Sequence, residues 1–288
     1  MPPQGYLCRG YVESLAEWGR PRALPLSGGW VLERKVPGTE YRDAMGAYPL
    51  FCAWAWDRIK NDLDEIDDLV SLVLVPDPFA PEVYSDAFDF VKPYKEHYVV
   101  DMTCARPSKH HRYYARQAVK EGVNVRACEH PILYLNEWGM LYSELIKRYG
   151  LTGLYAFSDK AFAVQLSLPG LHFLLAEAQG EVVAGHIWYE QNGVAYSHLG
   201  ASSEIGYELN ASYALYSFAL EYFRTKVRWL DLGGAPDKEG DGLAFFKRGW
   251  ATGRKQAYLC GKVFRPDVYK TLSRGHGTKF FPSYRSKI

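Results

Sequence analysis

Apolar positions recur along the chain in two rhythms, and their order predicts its elements. Residues 29–36 (GWVLERKV) alternate apolar and polar side chains, the period of a half-buried strand. Residues 54–66 (WAWDRIKNDLDEI) place Trp56, Ile59, Leu63 and Ile66 at helical spacing. A continuous run rich in β-branched residues at 69–76 (LVSLVLVP) predicts a buried strand. Residues 81–88 (PEVYSDAF) form a short helix candidate, and 97–102 (HYVVDM) another strand. Strand and helix thus alternate over the first hundred residues, which implies an α/β arrangement there. In 106–129 (RPSKHHRYYARQAVKEGVNVRACE) a helix opens after Pro107 with Ser108 as its cap and closes at Gly122, and a strand follows at 123–128.

From there the pattern restarts. Helices are expected at 135–150, ended by Gly150, and at 158–168, capped by Ser158. Residues 171–202 (LHFLLAEAQGEVVAGHIWYEQNGVAYSHLGAS) hold three alternating segments. Gln-Gly-Glu separates the first two and Asn192-Gly193 the last two, as in an antiparallel meander. Then come an amphipathic helix at 210–226, with Ala214, Phe218 and Tyr222 four apart and Asn210 or Ser212 as cap, a strand at 227–234 (VRWLDLGG), a short helix (GLAFFKRGW) and a last strand at 255–264. Four segments are expected: an N-terminal extension 1–28, one half at 29–122, a second at 123–266, and an irregular basic tail 267–288.

Composition narrows the partners. With 34 basic against 33 acidic side chains and a net charge of +1, no long-range field draws the chain to DNA or a membrane, so any anion site is local. Five cysteines without a CxxC pair fit reduced thiols in a cytoplasmic protein. Residues 1–28 lack the apolar core of a signal peptide, and no apolar run approaches the roughly 18 residues that span a bilayer, so membrane insertion is not expected. Twenty-two tyrosines either fill core and surface or line a cleft for a polar ligand. His110 and His111 adjoin on a helix and diverge, so they share no metal, and no nucleophile elbow, HExxH or Walker loop is present.

Two helices, a three-strand meander, helix, strand, helix and strand is the order of the GNAT acyltransferase fold. The segments VAYSHLGASSEIGYELNASYALYSFALEYF, RWLDLGG and DGLAFFKRGW, with HYVVDM and YYARQAVKEGVNV before them, resemble the Fem family of peptidoglycan interpeptide-bridge aminoacyltransferases over about residues 29–265. The resemblance implies an α+β chain of two GNAT-like halves that moves an amino acid from aminoacyl-tRNA to an amine. The acceptor would be an amine-bearing, optionally phosphorylated, cell-envelope precursor or small metabolite, with peripheral membrane contact allowed. No metal or cofactor is implied. Two features depart from the family. No coiled-coil arm is inserted between Leu133 and Leu171, and SSEIGYELNAS, with one glycine and two glutamates, stands where many acyl-CoA enzymes carry a glycine-rich pyrophosphate turn. An acyl-CoA-dependent N-acyltransferase acting on a nucleotide-sugar or polysaccharide precursor, and a non-catalytic GNAT-fold binding module, remain as alternatives.

The candidate chemistry centres on Lys247, which matches the lysine of the family's Phe-Lys motif and would stabilise the oxyanion of acyl transfer, framed by Phe246 and Trp250. Gly233 and Gly234 would let substrate approach bare backbone. Asp231 would accept or orient a proton of the acceptor ammonium, or else pair with Lys247 or cap the next loop. Asp237, Glu239 and Asp241 line that loop as solvated charges. His198 and Tyr196 share a strand face and are candidates for base and donor, with a core role as the other reading. Arg112, Arg116 and Lys120, four apart, align as a phosphate or tRNA clamp or as a solvated face, and Lys35 with Arg34 is a further acceptor-phosphate candidate. Tyr207 and Tyr213 either contact substrate or pack.

Overall fold

A computed structural model of the chain describes residues 3–235, 242–277 and 280–286. Its elements, in chain order, are α1 (Arg9–Ser14), β1 (Arg20–Leu24), β2 (Gly29–Lys35), β3 (Arg42–Gly46), α2 (Ile59–Asp64), β4 (Ser71–Leu74), β5 (Phe90–Asp101), α3 (Lys109–Lys120), β6 (Asn124–Cys128), α4 (Leu135–Tyr149), α5 (Asp159–Gln165), β7 (Leu171–Ala178), β8 (Glu181–Gln191), β9 (Val194–Ser202), α6 (Glu204–Glu208), α7 (Ala211–Tyr222), β10 (Trp229–Gly234), α8 (Gly242–Trp250), β11 (Gly253–Val263) and α9 (Pro266–Leu272). They form two compact units, one of residues 1–5 and 96–255, the other of 6–95 and 256–288. The halves expected from sequence divided the chain at 122/123, inside the first of these units. The reason is pairing across long separations: β5 joins β10, and α3 packs on α7.

In the unit of 6–95 and 256–288, β1, β2 and β3 form an antiparallel meander, β3 runs parallel to β4, and β4 pairs antiparallel with β11. The alternating α/β arrangement expected here is therefore corrected. The strands β1 and β3 escaped the apolar pattern because their charges neutralise one another in place: buried Glu33 accepts from Arg20, Arg22 and Arg42. Trp56, Ile59, Leu63 and Ile66 are buried as their spacing predicted, against Phe51, Leu72 and Leu74. Within the expected N-terminal extension, Tyr6, Leu7, Tyr11, Val12 and Leu15 are all core. The tail is likewise docked. It holds α9, Tyr284 packs near Val36 and Val70, and Arg285 pairs with fully buried Asp43 at 2.9 Å.

In the unit of 1–5 and 96–255 the strand order is β5-β10-β9-β8-β7-β6. Neighbours are antiparallel except β10 and β9, which run parallel. The meander folds as its turn residues require, with Gln179, Gly180, Asn192 and Gly193 all at positive φ. Leu174, Ala176, Trp188, Ala195 and Leu230 face α3 and α7, where Ala115, Ala118, Ala211, Ala214 and Ala219 let helix and sheet approach closely. Phe173 points to the other side, its ring against Trp138 of α4, which in turn meets Phe162 of α5. Ser108 and Ser158 cap α3 and α5 as expected. Asn210 stands at the N-cap of α7, left-handed at φ +56°, but its side chain makes no capping bond, and the Ser212 hydroxyl bonds that of Ser202. No helix among the described residues is long and apolar enough to cross a membrane.

Candidate active site

Strands β9 and β10 are paired only at Trp229↔Val194, Leu230↔Ala195 and Asp231↔Tyr196. Beyond that point β9 continues along β8 to Ser202, while β10 shifts register against β5 between Asp231 and Gly234. Two parallel strands that part in this way leave main-chain groups of both available beside the gap. The sequence cause of the shift is Gly233, which takes φ +74° in the irregularity, a conformation that costs a side-chain-bearing residue about 1 kcal/mol.

The groups around this point come from β5, β8, β9, β10, α7 and α8. Lys247 is half-buried, and its Nζ donates to the Gly234 carbonyl at 2.7 Å. A Cβ at Gly233 would lie 3.3 Å from the same nitrogen, so the glycine makes room for it. Asp231 is buried, and its carboxylate accepts from His97 Nδ1 at 2.8 and 3.0 Å and from the Gly233 amide at 2.7 Å. An ionised carboxylate only accepts, so Nδ1 carries the proton. His97 Nε2 is buried without a hydrogen-bond partner among the described residues.

Strands β8 and β9 and helix α7 contribute an uncharged polar row. His186 Nε2 meets Ser197 Oγ at 2.8 Å, and Ser197 Oγ meets the Tyr216 hydroxyl at 3.3 Å. Burial first, then the charges of Lys247 and His198, pull the pKa of His186 down to about 3. Burial pushes the Tyr216 hydroxyl up to about 12, although the Ser197 hydrogen bond opposes it. An ammonium close enough to bias a neutral, buried imidazole is placed to act on developing negative charge.

Helix α8 is locked onto α3 by His111, whose Nε2 donates to the Phe246 carbonyl at 2.8 Å and whose Nδ1 accepts from the Ser108 hydroxyl at 2.8 Å. Burial lowers its pKa, in keeping with a neutral ring. The rings of Phe246, Tyr213, Tyr216 and Trp250 close around this seam.

No family model matches the sequence, and no curated protein does. Solved structures do. FemX is similar over 93% of this chain and 95% of its own, at 13% identity and a TM-score of 0.68. The chain has the Fem-type GNAT fold. The C-terminal domain of a putative lysylphosphatidylglycerol synthetase from Agrobacterium fabrum shares this Fem-type fold over 91% of both chains, at 13% identity and a TM-score of 0.63. L-PGS from Bacillus licheniformis does so over 89% of this chain and 92% of its own, at 15% identity and a TM-score of 0.63.

Within this Fem-type fold the structure gathers Lys247, Asp231, Gly233 and Gly234, with Phe246 on the same helix as Lys247 and Tyr196 opposite Asp231 in register. It does not gather the remaining candidates of this unit. Arg112, Arg116 and Lys120 share the exposed side of α3, with His111, Ala115 and Ala118 buried on the other. Tyr207 is exposed on α6 beneath the Arg148 guanidinium, 4.2 Å from its ring centroid, and Tyr213 belongs to the His111 seam. Lys35 is an exposed residue of the other unit, where its carbonyl accepts from Arg285. Arg34 there bonds buried Asp43. Asp237, Glu239 and Asp241 lie outside the described residues.

Two readings of single residues change. Asp231 does not present a bare carboxylate, because both oxygens are engaged by His97. His198 lies on the Tyr196 face of β9 as expected, but it is the extra residue where Leu199 opposes Ile187 and Ser197 opposes Trp188, with the Phe157 and Tyr189 rings beside it. Burial holds its pKa at about 3, which suits a packed imidazole better than a base working at neutral pH. Sequence reading missed His97, His186, Ser197 and Tyr216. The alternation in AGHIWYE puts His186 and Trp188 on one face and could have singled out His186. Nothing local links His97 to Asp231, 134 residues away.

A separate groove of about 920 Å³ runs between α4, the β7–β8 turn and the start of α6, and none of the residues gathered at Lys247 line it.

Proposed function

We propose that this chain is a Fem-type acyltransferase that moves an aminoacyl group from aminoacyl-tRNA to the amine of a cell-envelope precursor or small metabolite. The observation that carries this reading is the Lys247 ammonium held at the Gly234 carbonyl, beside the point where β9 and β10 part. An ester carbonyl lodged in that gap would meet a fixed cation as its oxygen turns negative on attack by the amine. The C–N bond then forms, the ester C–O bond breaks, and the ribose hydroxyl leaves.

The segment SSEIGYELNAS supports tRNA over acyl-CoA as donor. It folds as α6, with the Ser203 hydroxyl on the Gly206 amide and Glu204 in the first turn. Gly206 itself packs so closely that a Cβ there would fall 2.2 Å from the Val183 carbonyl. A helix start whose amide is already capped, with a carboxylate beside it, is a poor cradle for pyrophosphate. The exposed cations of α3 offer phosphate contacts for an RNA donor or a phosphorylated acceptor.

The deciding assay offers labelled aminoacyl-tRNA and acetyl-CoA in parallel to a panel of amines. Phosphatidylglycerol vesicles are offered beside the amines, as a hydroxyl acceptor, because one of the similar structures is named for lysylphosphatidylglycerol. Transfer abolished by RNase supports the reading. Transfer from acetyl-CoA alone, with thermal stabilisation by CoA and none by RNA, overturns it.

A further inference from the structure

The buried pair His97–Asp231 has no role in the reaction as written so far. His97 is 4% and Asp231 2% exposed, and an imidazole nitrogen at such depth with no hydrogen-bond partner among the described residues carries a desolvation cost that a purely structural contact would not need to bear. The pair also stands at the site. His97 lies opposite Gly234 in the β5–β10 register, Asp231 holds the Gly233 amide, and Lys247 is bonded to the Gly234 carbonyl. Cation and imidazole–carboxylate pair are therefore anchored to the same two glycines.

We propose that His97 is the proton acceptor of aminoacyl transfer, with Asp231 as the residue that positions it. This rests on the function proposed above. The carboxylate fixes Nδ1–H, so Nε2 is the nitrogen free to take a proton. As the acceptor amine bonds to the ester carbonyl carbon, one N–H proton passes to His97 Nε2 and the carbonyl electron pair moves to the oxygen facing Lys247. Collapse of that intermediate breaks the C–O bond to the ribose, and the imidazolium returns its proton to the leaving oxygen. Amine and ester become amide and alcohol, with the imidazole restored and no further reactant consumed. Asp231 is reassigned accordingly, from direct base to the group that sets the tautomer and orientation of the base.

The test compares the wild-type protein with His97→Asn and Asp231→Asn, using labelled aminoacyl-tRNA and the best amine of the panel. Both variants should lose turnover, by about 10²–10⁴-fold for His97→Asn, with KM for the tRNA little changed. An amine of low basicity, already neutral at the assay pH, should recover part of the His97→Asn rate. Nitrogen-15 NMR of labelled histidine should show Nδ1 protonated and Nε2 bare in the wild-type protein, and the reverse in Asp231→Asn, a tautomer change that mere clamping of the strands would not require. Wild-type turnover in His97→Asn, or a protonated Nε2 in the wild-type chain near neutral pH, would overturn the proposal. Should one variant fail to fold, the NMR signature of the wild-type protein and the other variant still decide it. A wild-type chain that transfers from no tRNA overturns the underlying function instead, and so is distinguishable.

Discussion

The Lys247 side chain bends back to the strand that precedes its own helix, its ammonium donating to the Gly234 carbonyl at 2.7 Å. A lysine held in this way loses less rotamer freedom when it meets a substrate oxygen, which is the advantage a prearranged donor has over water. Lys247→Ala should lower turnover by about 10²–10³-fold, roughly the effect of deleting one oxyanion donor, while leaving the melting temperature almost unchanged because the side chain is only half-buried. Single-turnover transfer measured beside calorimetry checks both parts. A variant at wild-type rate would remove the lysine from the chemistry.

Gly249 and His111 make the joint between α8 and α3. A Cβ at position 249 would come within 1.9 Å of the imidazole, and the ring cannot retreat while it bonds Ser108 and the Phe246 carbonyl. Gly249→Ala is expected to cost about 1–3 kcal/mol by overpacking, and to move Lys247 along with α8. Urea denaturation reads the first effect and the transfer assay the second.

Acid should destabilise the fold through its buried imidazoles. The pKa of His186 falls from an ordinary 6.5 to about 3, chiefly by burial, and the pKa of His198 falls as far for the same cause. The unfolded chain therefore takes up protons first as pH drops. The contribution of each ring is complete above 6.5 and is lost progressively between 6.5 and about 3. At pH 5 His186 alone should account for about 2 kcal/mol. Melting temperatures measured from pH 7.5 to 5 should fall, and His186→Gln should flatten the curve.

Arg285 reaches from the chain terminus to an aspartate with no exposed surface. Loss of its guanidinium leaves Asp43 with Arg34 and the Tyr284 hydroxyl, so Arg285→Ala should cost about 2–3 kcal/mol, somewhat under the usual penalty for breaking a buried pair. Denaturant midpoints give the value, and an unchanged midpoint would mean that the tail does not stabilise the chain.

The exposed cations of α3 can be removed without touching the core. The triple change of Arg112, Arg116 and Lys120 to Ala should leave stability within about 0.5 kcal/mol, weaken tRNA binding, and make the dependence of log Kd on log salt shallower by up to three contacts' worth. Filter binding at several salt concentrations tests it. An unaltered slope would assign this face to solvent.

Most elements were legible because short-range physics sets them. Residues 171–202 could hardly be anything but three strands, given their alternation and the left-handed turns at Gln179-Gly180 and Asn192-Gly193. The caps at Ser108 and Ser158, and the aromatic helix carrying Lys247, follow from equally local rules. Strands β1 and β3 were hidden because Arg20, Arg22 and Arg42 on them converge on Glu33, so their polar residues look like loop until the partner is known. The pairing of His97 with Asp231, the parting of β9 from β10, and the docking of Arg285 on Asp43 join residues far apart in the chain, and no periodicity carries that information. The chain by itself thus determined its longer helices α3, α4 and α7, its meander and the residue types available for acyl transfer. Tertiary structure alone decided which of them meet, since contacts between strands depend on register and burial, and those are settled only when the sheet closes.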